Sequence, residues 1–173
     1  MTETMKESNN LVYLMYSVPL IKATIIGNEK LKEVSGFEVA KEWPGMEFSF
    51  YLPFALKEIK ENLSLEKWNY LIIHKESRTI IGEVSIQGNP SETGIAEIGY
   101  SIAPDFRKKG YGKEAVQFLI SEIQNRQIEE IHAKAFEENK ASQKILLSLG
   151  FKETGTSIHG ENDKILHYKY VGN

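Results

Sequence analysis

The sequence predicts an α+β fold: one domain whose mixed, mostly antiparallel sheet carries a central parallel β-α-β unit and flanking helices. Three observations predict it. Runs of β-formers at residues 68–74, 79–87 and 93–102 follow one another across short turns, the layout of an antiparallel meander. Apolar helical spacing at Ala115, Val116, Leu119, Ile120 and Ile123 then separates the third run from another at 128–136, which makes a crossover with parallel strands. Finally, the 173 residues contain no internal repeat, linker or low-complexity stretch, and their number suits one core.

Taken in order, the polar residues 1–10 are expected to fray. Residues 11–17 are apolar and read as an opening strand. From Pro19, the spacing of Leu20, Ile21, Ala23, Thr24 and Ile25 predicts a helix ending near Gly27, and a short helical piece covers 28–34. Trp43-Pro44-Gly45-Met46 is turn chemistry. Leu52, Leu56 and Ile59 give residues 51–62 one apolar helical face. After the meander, a helix spans 111–126 and a strand 128–136. A further helix covers 141–148 with Gly150 at its end, and strands 151–159 and 164–170 close the chain around the turn at 160–163.

Composition narrows the function classes. The formal net charge is −3, so the chain as a whole offers no footprint for nucleic acid. There is no cysteine, hence no disulfide and no thiolate nucleophile or zinc thiolate. No apolar run reaches the length of a membrane span, and the first ten residues lack a signal-peptide layout. A cytoplasmic protein without a membrane partner is expected. Histidines 74, 132, 159 and 167 show no ligand spacing, so no metal is expected.

The chemistry concentrates between Glu97 and Ala115. Glu97-Ile98-Gly99-Tyr100-Ser101-Ile102 is strand-like, and Pro104 ends it. Arg107, Lys108 and Lys109 then lead into Gly110-Tyr111-Gly112 and a helix. Glycines at a helix entry let successive N–H groups point at one anion, and the dipole adds attraction. Three cations supply counter-charge for a ligand with several phosphates. Gly110 to Ala115 also fits a relaxed dinucleotide fingerprint, but seven residues separate Ile102 from Gly110, and that fold wants helices between the meander strands. No P-loop motif occurs.

Arg107-Lys108-Lys109-Gly110-Tyr111-Gly112 resembles the [QR]-x-x-G-x-[GA] motif of the GNAT superfamily of acyl-CoA-dependent N-acetyltransferases. Ile131-His132-Ala133-Lys134, Asn139-Lys140-Ala141-Ser142 and Leu149-Gly150-Phe151 resemble its second motif. The N-x-x-S form is similar to the branch that acetylates the N-termini of ribosomal proteins. The likeness is close from Thr79 to Gly155 and looser before. It implies a single N-acetyltransferase domain, with acceptor-side helices over 11–64 and an acyl-CoA-binding sheet and helices over 65–173.

The resemblance also implies roles. Backbone groups near Ser101, Ile102 and Ala103 would bind pantetheine and polarise the acetyl carbonyl, and N–H groups from Lys108 to Lys113 would take the pyrophosphate. Glu97 would be the base, in the position where some members carry a catalytic glutamate. A carboxylate facing solvent or paired with a lysine is the plainer alternative. Lys134 stands where other members have a glutamate. Asn139 would contact pantetheine or the acyl group, or simply cap its helix. Leu146 replaces the tyrosine acid common in the superfamily, which leaves Ser142 or water beside the leaving sulfur. Trp43 and Met46, with Phe48, are candidates for the acceptor pocket, with core or cap packing as the equal alternative. The implied partners are acetyl-CoA as cosubstrate and an amine, either a protein N-terminus or a small molecule, with the protein a monomer or homodimer. A non-catalytic acyl-CoA-binding regulator on the same fold is the rival reading, ahead of a dinucleotide oxidoreductase.

Overall fold

A computed structural model of the chain describes residues 5–172. In chain order its elements are β1(Met5–Glu7), β2(Leu11–Met15), α1(Val18–Ile26), α2(Asn28–Ser35), β3(Glu38–Val39) and α3(Met46–Glu61). A 3-10 segment at Leu63–Trp68 leads to β4(Asn69–His74), β5(Thr79–Gln87), α4(Pro90–Thr93) and β6(Ile95–Ile102). A second 3-10 segment at Pro104–Phe106 precedes α5(Tyr111–Asn125), β7(Glu130–Phe136), α6(Lys140–Leu149), β8(Phe151–His159) and β9(Asp163–Tyr170). Two compact units result: residues up to 85 with 100–114, and residues 86–99 with 115 onward. β6 contributes to both.

In the first unit, β1 pairs antiparallel with β2, β2 with β4, and β4 with β5. The buried core is mainly aliphatic, with Leu11, Leu71, Ile72, Ile73, Ile80 and Ile81 at 1% exposure or less. Helix α1 starts on Pro19 in its first turn, where a missing N–H costs nothing. Its Ser17 cap makes no side-chain bond; the Val18 N–H donates instead to Glu66 at 2.8 Å. Tyr16 donates to Thr24, and Thr24 donates in turn to the Leu20 carbonyl, at 2.6 and 2.8 Å. Both polar groups are thereby satisfied in the core.

In the second unit, β6 and β7 run parallel from Ile95↔Glu130 to Ile98↔Ala133. β7 pairs antiparallel with β9, and β9 with β8. Ala115, Val116, Leu119, Ile120 and Ile123 of α5 are buried, the face expected from their spacing. Gly150 ends α6 in the left-handed region at φ 104°.

Several boundaries differ from the sequence expectation. Residues 5–7 are paired as β1 where fraying was expected; that expectation for residues 1–4 lies outside the described residues. Helix α3 begins at Met46, five residues before Tyr51, and so places Pro53 inside the helix. Residues 90–93 form α4, so β6 starts at Ile95. β3 pairs parallel with β5 through two residues only, too short to leave a periodic signal.

Candidate active site

The basic turn lies in the first unit and leads from β6 into α5. Lys108 and Gly110 both adopt positive φ, 62° and 87°, and an added Cβ on Gly110 would meet no atom within 4 Å. The first intrahelical bond of α5 runs from the Glu114 N–H to the Gly110 carbonyl at 3.0 Å, so the amides of Tyr111, Gly112 and Lys113 precede any i−4 acceptor. Lys108, Lys109, Gly110 and Lys113 are exposed. Arg107 has a second job, because its Nε donates to the Ile102 carbonyl at 2.8 Å and ties the turn back to its strand.

Two anchors that sequence reasoning did not single out hold this turn. His74, at the end of β4, has Nε2 3.0 Å from the Tyr111 hydroxyl and Nδ1 2.7 Å from that of Ser77. Its ring centroid lies 5.2 Å from Tyr111 and 5.4 Å from Phe106, so one imidazole touches both ends of the turn. Glu114 accepts from the Ser8 hydroxyl, the Asn10 side chain and the Asn10 N–H. Burial alone would raise the Glu114 carboxyl, but these bonds and the Lys75 charge hold it below the usual range.

Along β6, the Ala103 N–H donates to the Ile81 carbonyl at 2.7 Å, and the Ser101 carbonyl lies against Gly82. The backbones of Ser101 and Ala103 therefore face β5, and alternation turns those of Tyr100 and Ile102 the other way. The Ser101 hydroxyl donates to Glu83 Oε1 at 3.4 Å. Glu83 is 4% exposed, and among the described residues its Oε2 has no hydrogen-bond partner. Burial pushes its carboxyl up to about 8, against the opposing hydrogen bonds of Ser85 and Ser101. This carboxylate was missed from the sequence. The available signal was a lone acid inside an otherwise apolar strand, since Asp and Glu are rarely fully buried without a partner.

The expected acceptor residues separate. Trp43 is 2% exposed, with its ring 5.8 Å from Phe48, while Met46 is 76% exposed. Phe48 also contacts Tyr16 and Tyr51, at 6.5 and 6.4 Å. In the second unit, Glu97 is partly buried and pairs with Lys134 Nζ at 3.2 Å. Asn139 caps α6, its Oδ1 accepting from the Ser142 N–H at 3.1 Å, and Leu146 is fully buried. Among the described residues, no group of three or more acids or histidines is placed to hold a metal ion, and no helix is long and apolar enough to cross a membrane.

A glycine turn at a helix entry, with three amides ahead of the first intrahelical bond, is suited to hold an anion. The family is shown directly: residues 32–152 match the acetyltransferase (GNAT) domain, and the chain belongs to that family. It is a single GNAT-fold domain of the α+β class and an acetyltransferase. The uncharacterized N-acetyltransferase YjdG of Bacillus subtilis (strain 168) is 31% identical over 167 residues, 95% of this chain and 96% of that one. Uncharacterized N-acetyltransferase p20 of Bacillus licheniformis is 38% identical over 97 residues, 54% of each chain. Among solved structures, the ribosomal-protein-S5-alanine acetyltransferase of Vibrio fischeri superposes with TM-score 0.69 at 18% identity, covering 98% of this chain and 97% of that one. The microcin C7 self-immunity acetyltransferase MccE, solved with acetyl-CoA and AMP, gives 0.66 at 19% identity over 95% and 93%. At such identities the likeness is one of fold. The antiparallel β4–β5 hairpin and the family together set aside the dinucleotide oxidoreductase.

Proposed function

We propose that this acetyltransferase moves an acetyl group from acetyl-CoA to a primary amine, by direct attack in a ternary complex. The observation that carries the proposal is the turn at 107–113. Its amides precede the first intrahelical bond, and space is open at Gly110. Lys108, Lys109 and Lys113 supply counter-charge for the diphosphate, and the amides of 108–113 supply directed donors. Arg107 adds its charge while bracing the turn. The pantetheine amides are proposed to run along Ser101, Ile102 and Ala103, using the backbone that faces away from β5 in the manner of an added strand.

Acetyl-CoA supplies an activated thioester carbonyl; the protein's part is to bind, orient and handle protons. Glu97 is the proposed base, taking a proton from the attacking nitrogen directly or through water. Its pairing with Lys134 keeps a cation within reach of that carboxylate. Ser142 is proposed to hydrogen-bond the leaving sulfur, with water as the alternative donor, since the apolar Leu146 offers no proton. Asn139 is proposed to contact the acyl chain in addition to capping α6. Trp43, through Phe48, and the exposed Met46 are proposed to line the acceptor's approach. A protein N-terminus and a small amine both fit. A cytoplasmic location accords with a chain lacking cysteine.

Thiol release on mixing the protein with acetyl-CoA and a panel of amines and N-terminal peptides tests the activity. Tight CoA binding without release from any of them would instead support a non-catalytic acyl-CoA regulator, a reading that buried Leu146 allows. For the turn, Gly110→Phe is expected to weaken CoA binding at least about tenfold. Gly110→Ala serves as its control for backbone strain, and normal CoA affinity in Gly110→Phe would refute the cradle.

A further inference from the structure

Among the described residues of the first unit, Glu83 is the one strongly buried carboxylate, and nothing assigned so far uses it. Its side chain shares a strand face with Ser85, and Ser101 reaches it from β6. Both of these partners engage it as hydrogen-bond donors, yet Oε2 has none among the described residues. Among the described residues, no cationic side chain is placed to offset a charge on it. A sequestered carboxylate oxygen with neither donor nor counter-ion is a costly feature to keep unless something else fills it. Its charge is felt by Tyr16 and Tyr51, and both of those rings contact Phe48, which lies against Trp43. Ring faces and an unpartnered carboxylate oxygen suit one kind of ligand group, a compact alkylammonium.

We propose that Glu83 is the specificity-determining residue for the acceptor, its free Oε2 receiving the ammonium of a primary alkylamine between the Tyr16 and Tyr51 rings. The proposal rests on the acetyl-transfer reading and names the group that selects the amine. The binding step balances simply. Glu83, protonated when the site is empty, ionises as the ammonium docks, and the displaced proton goes to solvent. Burial holds the carboxyl up, to about 8, so it is mostly neutral at pH 7. Tyr16 and Tyr51 are both raised, first by burial, with Glu83 adding to each and Glu58 adding to Tyr51. They stay neutral through this window. Leu71, opposite Glu83 on β4, contributes no charge.

The test uses n-butylamine as probe and 1-butanol as its uncharged control, titrated calorimetrically into the full chain between pH 6.5 and 9 in buffers of different ionisation enthalpy. The amine itself stays charged, since alkylammonium groups titrate at about 10.4. Butylamine should bind with release of close to one proton at pH 7, tighten as pH rises towards 8, and outcompete butanol. Glu83→Gln should lose roughly tenfold or more of that affinity and all of its pH dependence. Ser85→Ala removes a bond that holds the carboxyl down, so the inflection should move to higher pH, which a merely structural role would not cause. Equal, pH-independent binding by wild type and Glu83→Gln overturns the proposal. Thiol release from acetyl-CoA is followed in parallel. Turnover with an unchanged amine KM in Glu83→Gln removes Glu83 and leaves the acetyl-transfer reading intact. Proton-linked amine binding without thiol release from the wild type keeps Glu83 and removes that reading.

Discussion

Replacing Gly82 with alanine places a methyl carbon 2.1 Å from the Ser101 carbonyl oxygen, 3.1 Å from its carbon and 3.2 Å from the Ile102 Cα. Ordinary contact for a Cβ begins near 3.4 Å, so β5 and β6 would have to part locally by more than an ångström. The obstructing atoms are backbone, so no side-chain rotation relieves the clash. Parting the strands strains the Ala103 N–H to Ile81 carbonyl bond, now 2.7 Å, and pulls Ser101 from Glu83. Overpacking typically costs roughly 1–3 kcal/mol, and a lost hydrogen bond about 1 kcal/mol more. Removing a glycine from the unfolded chain returns at most about 1 kcal/mol. A net loss on the order of 3 kcal/mol is expected, a large share of the roughly 5–15 kcal/mol that holds a domain together. Urea unfolding should show a lower midpoint at unchanged slope. Because Ser101 and Ile102 move with β6, the KM for acetyl-CoA should rise as well. A midpoint equal to or above that of the wild type would refute the close approach of the two strands.

The other perturbations are more local. Glu83 has a raised carboxyl, so its contribution favours the fold fully below the ordinary value of 4.5 and is lost as pH climbs to about 8. At about 1.4 kcal/mol per pH unit the loss is bounded by roughly 5 kcal/mol, and urea midpoints of Glu83→Gln should lack that decline between pH 5 and 9. Glu114 is held low, so its contribution is present above 4.5 and lost on acidification. Glu114→Ala should cost about 1–2 kcal/mol at pH 7 and weaken CoA binding by loosening the turn, and unaltered CoA affinity would separate the anchor from the ligand. Glu97→Gln should lower kcat by roughly 10²–10⁴-fold with CoA affinity unchanged. Its partly exposed pair with Lys134 should leave stability within about 1 kcal/mol, and a wild-type rate across pH would remove Glu97 from the chemistry.

Legibility followed the strength of local patterning. β4, β5 and α5 were readable because each carries a sustained period or a run rich in β-formers, and Gly150 marked the end of α6, where it takes a left-handed φ. β1 and β3 were hidden because three polar residues and two residues respectively carry no period; partners elsewhere in the chain make them strands. The start of α3 was obscured by Pro53, which suits a first turn but lies within the helix, where burial of Leu52, Ala55 and Ile59 offsets the missing amide. Trp43 and Met46 are three residues apart yet take opposite environments, which composition alone does not distinguish. The turn at 107–113 stood out in the sequence as a candidate anion site because charge, glycine and helix signals coincide. Its supports were not, since His74 and Glu114 act through contacts 37 and 104 or more residues away in sequence.

Those supports explain how a mildly acidic chain can hold three adjacent cations in a fixed turn. Arg107, Lys108 and Lys109 repel one another, and each is exposed, so their own electrostatics favour an opened loop. Opposing this are uncharged or anionic contacts made from behind: Arg107 Nε on the Ile102 carbonyl, the His74 ring against Phe106 and Tyr111, and Glu114 locked to Ser8 and Asn10. Lys109 also lies over the Phe106 ring, 5.7 Å from its centroid, which screens one of the cations without neutralising it. Folding therefore covers the cost of ordering the amides before any ligand arrives, and under the proposed function a bound polyanion would relieve the remaining repulsion. If that balance holds, CoA should raise the melting temperature of the wild type more than that of His74→Ala, in which the turn has lost its central brace.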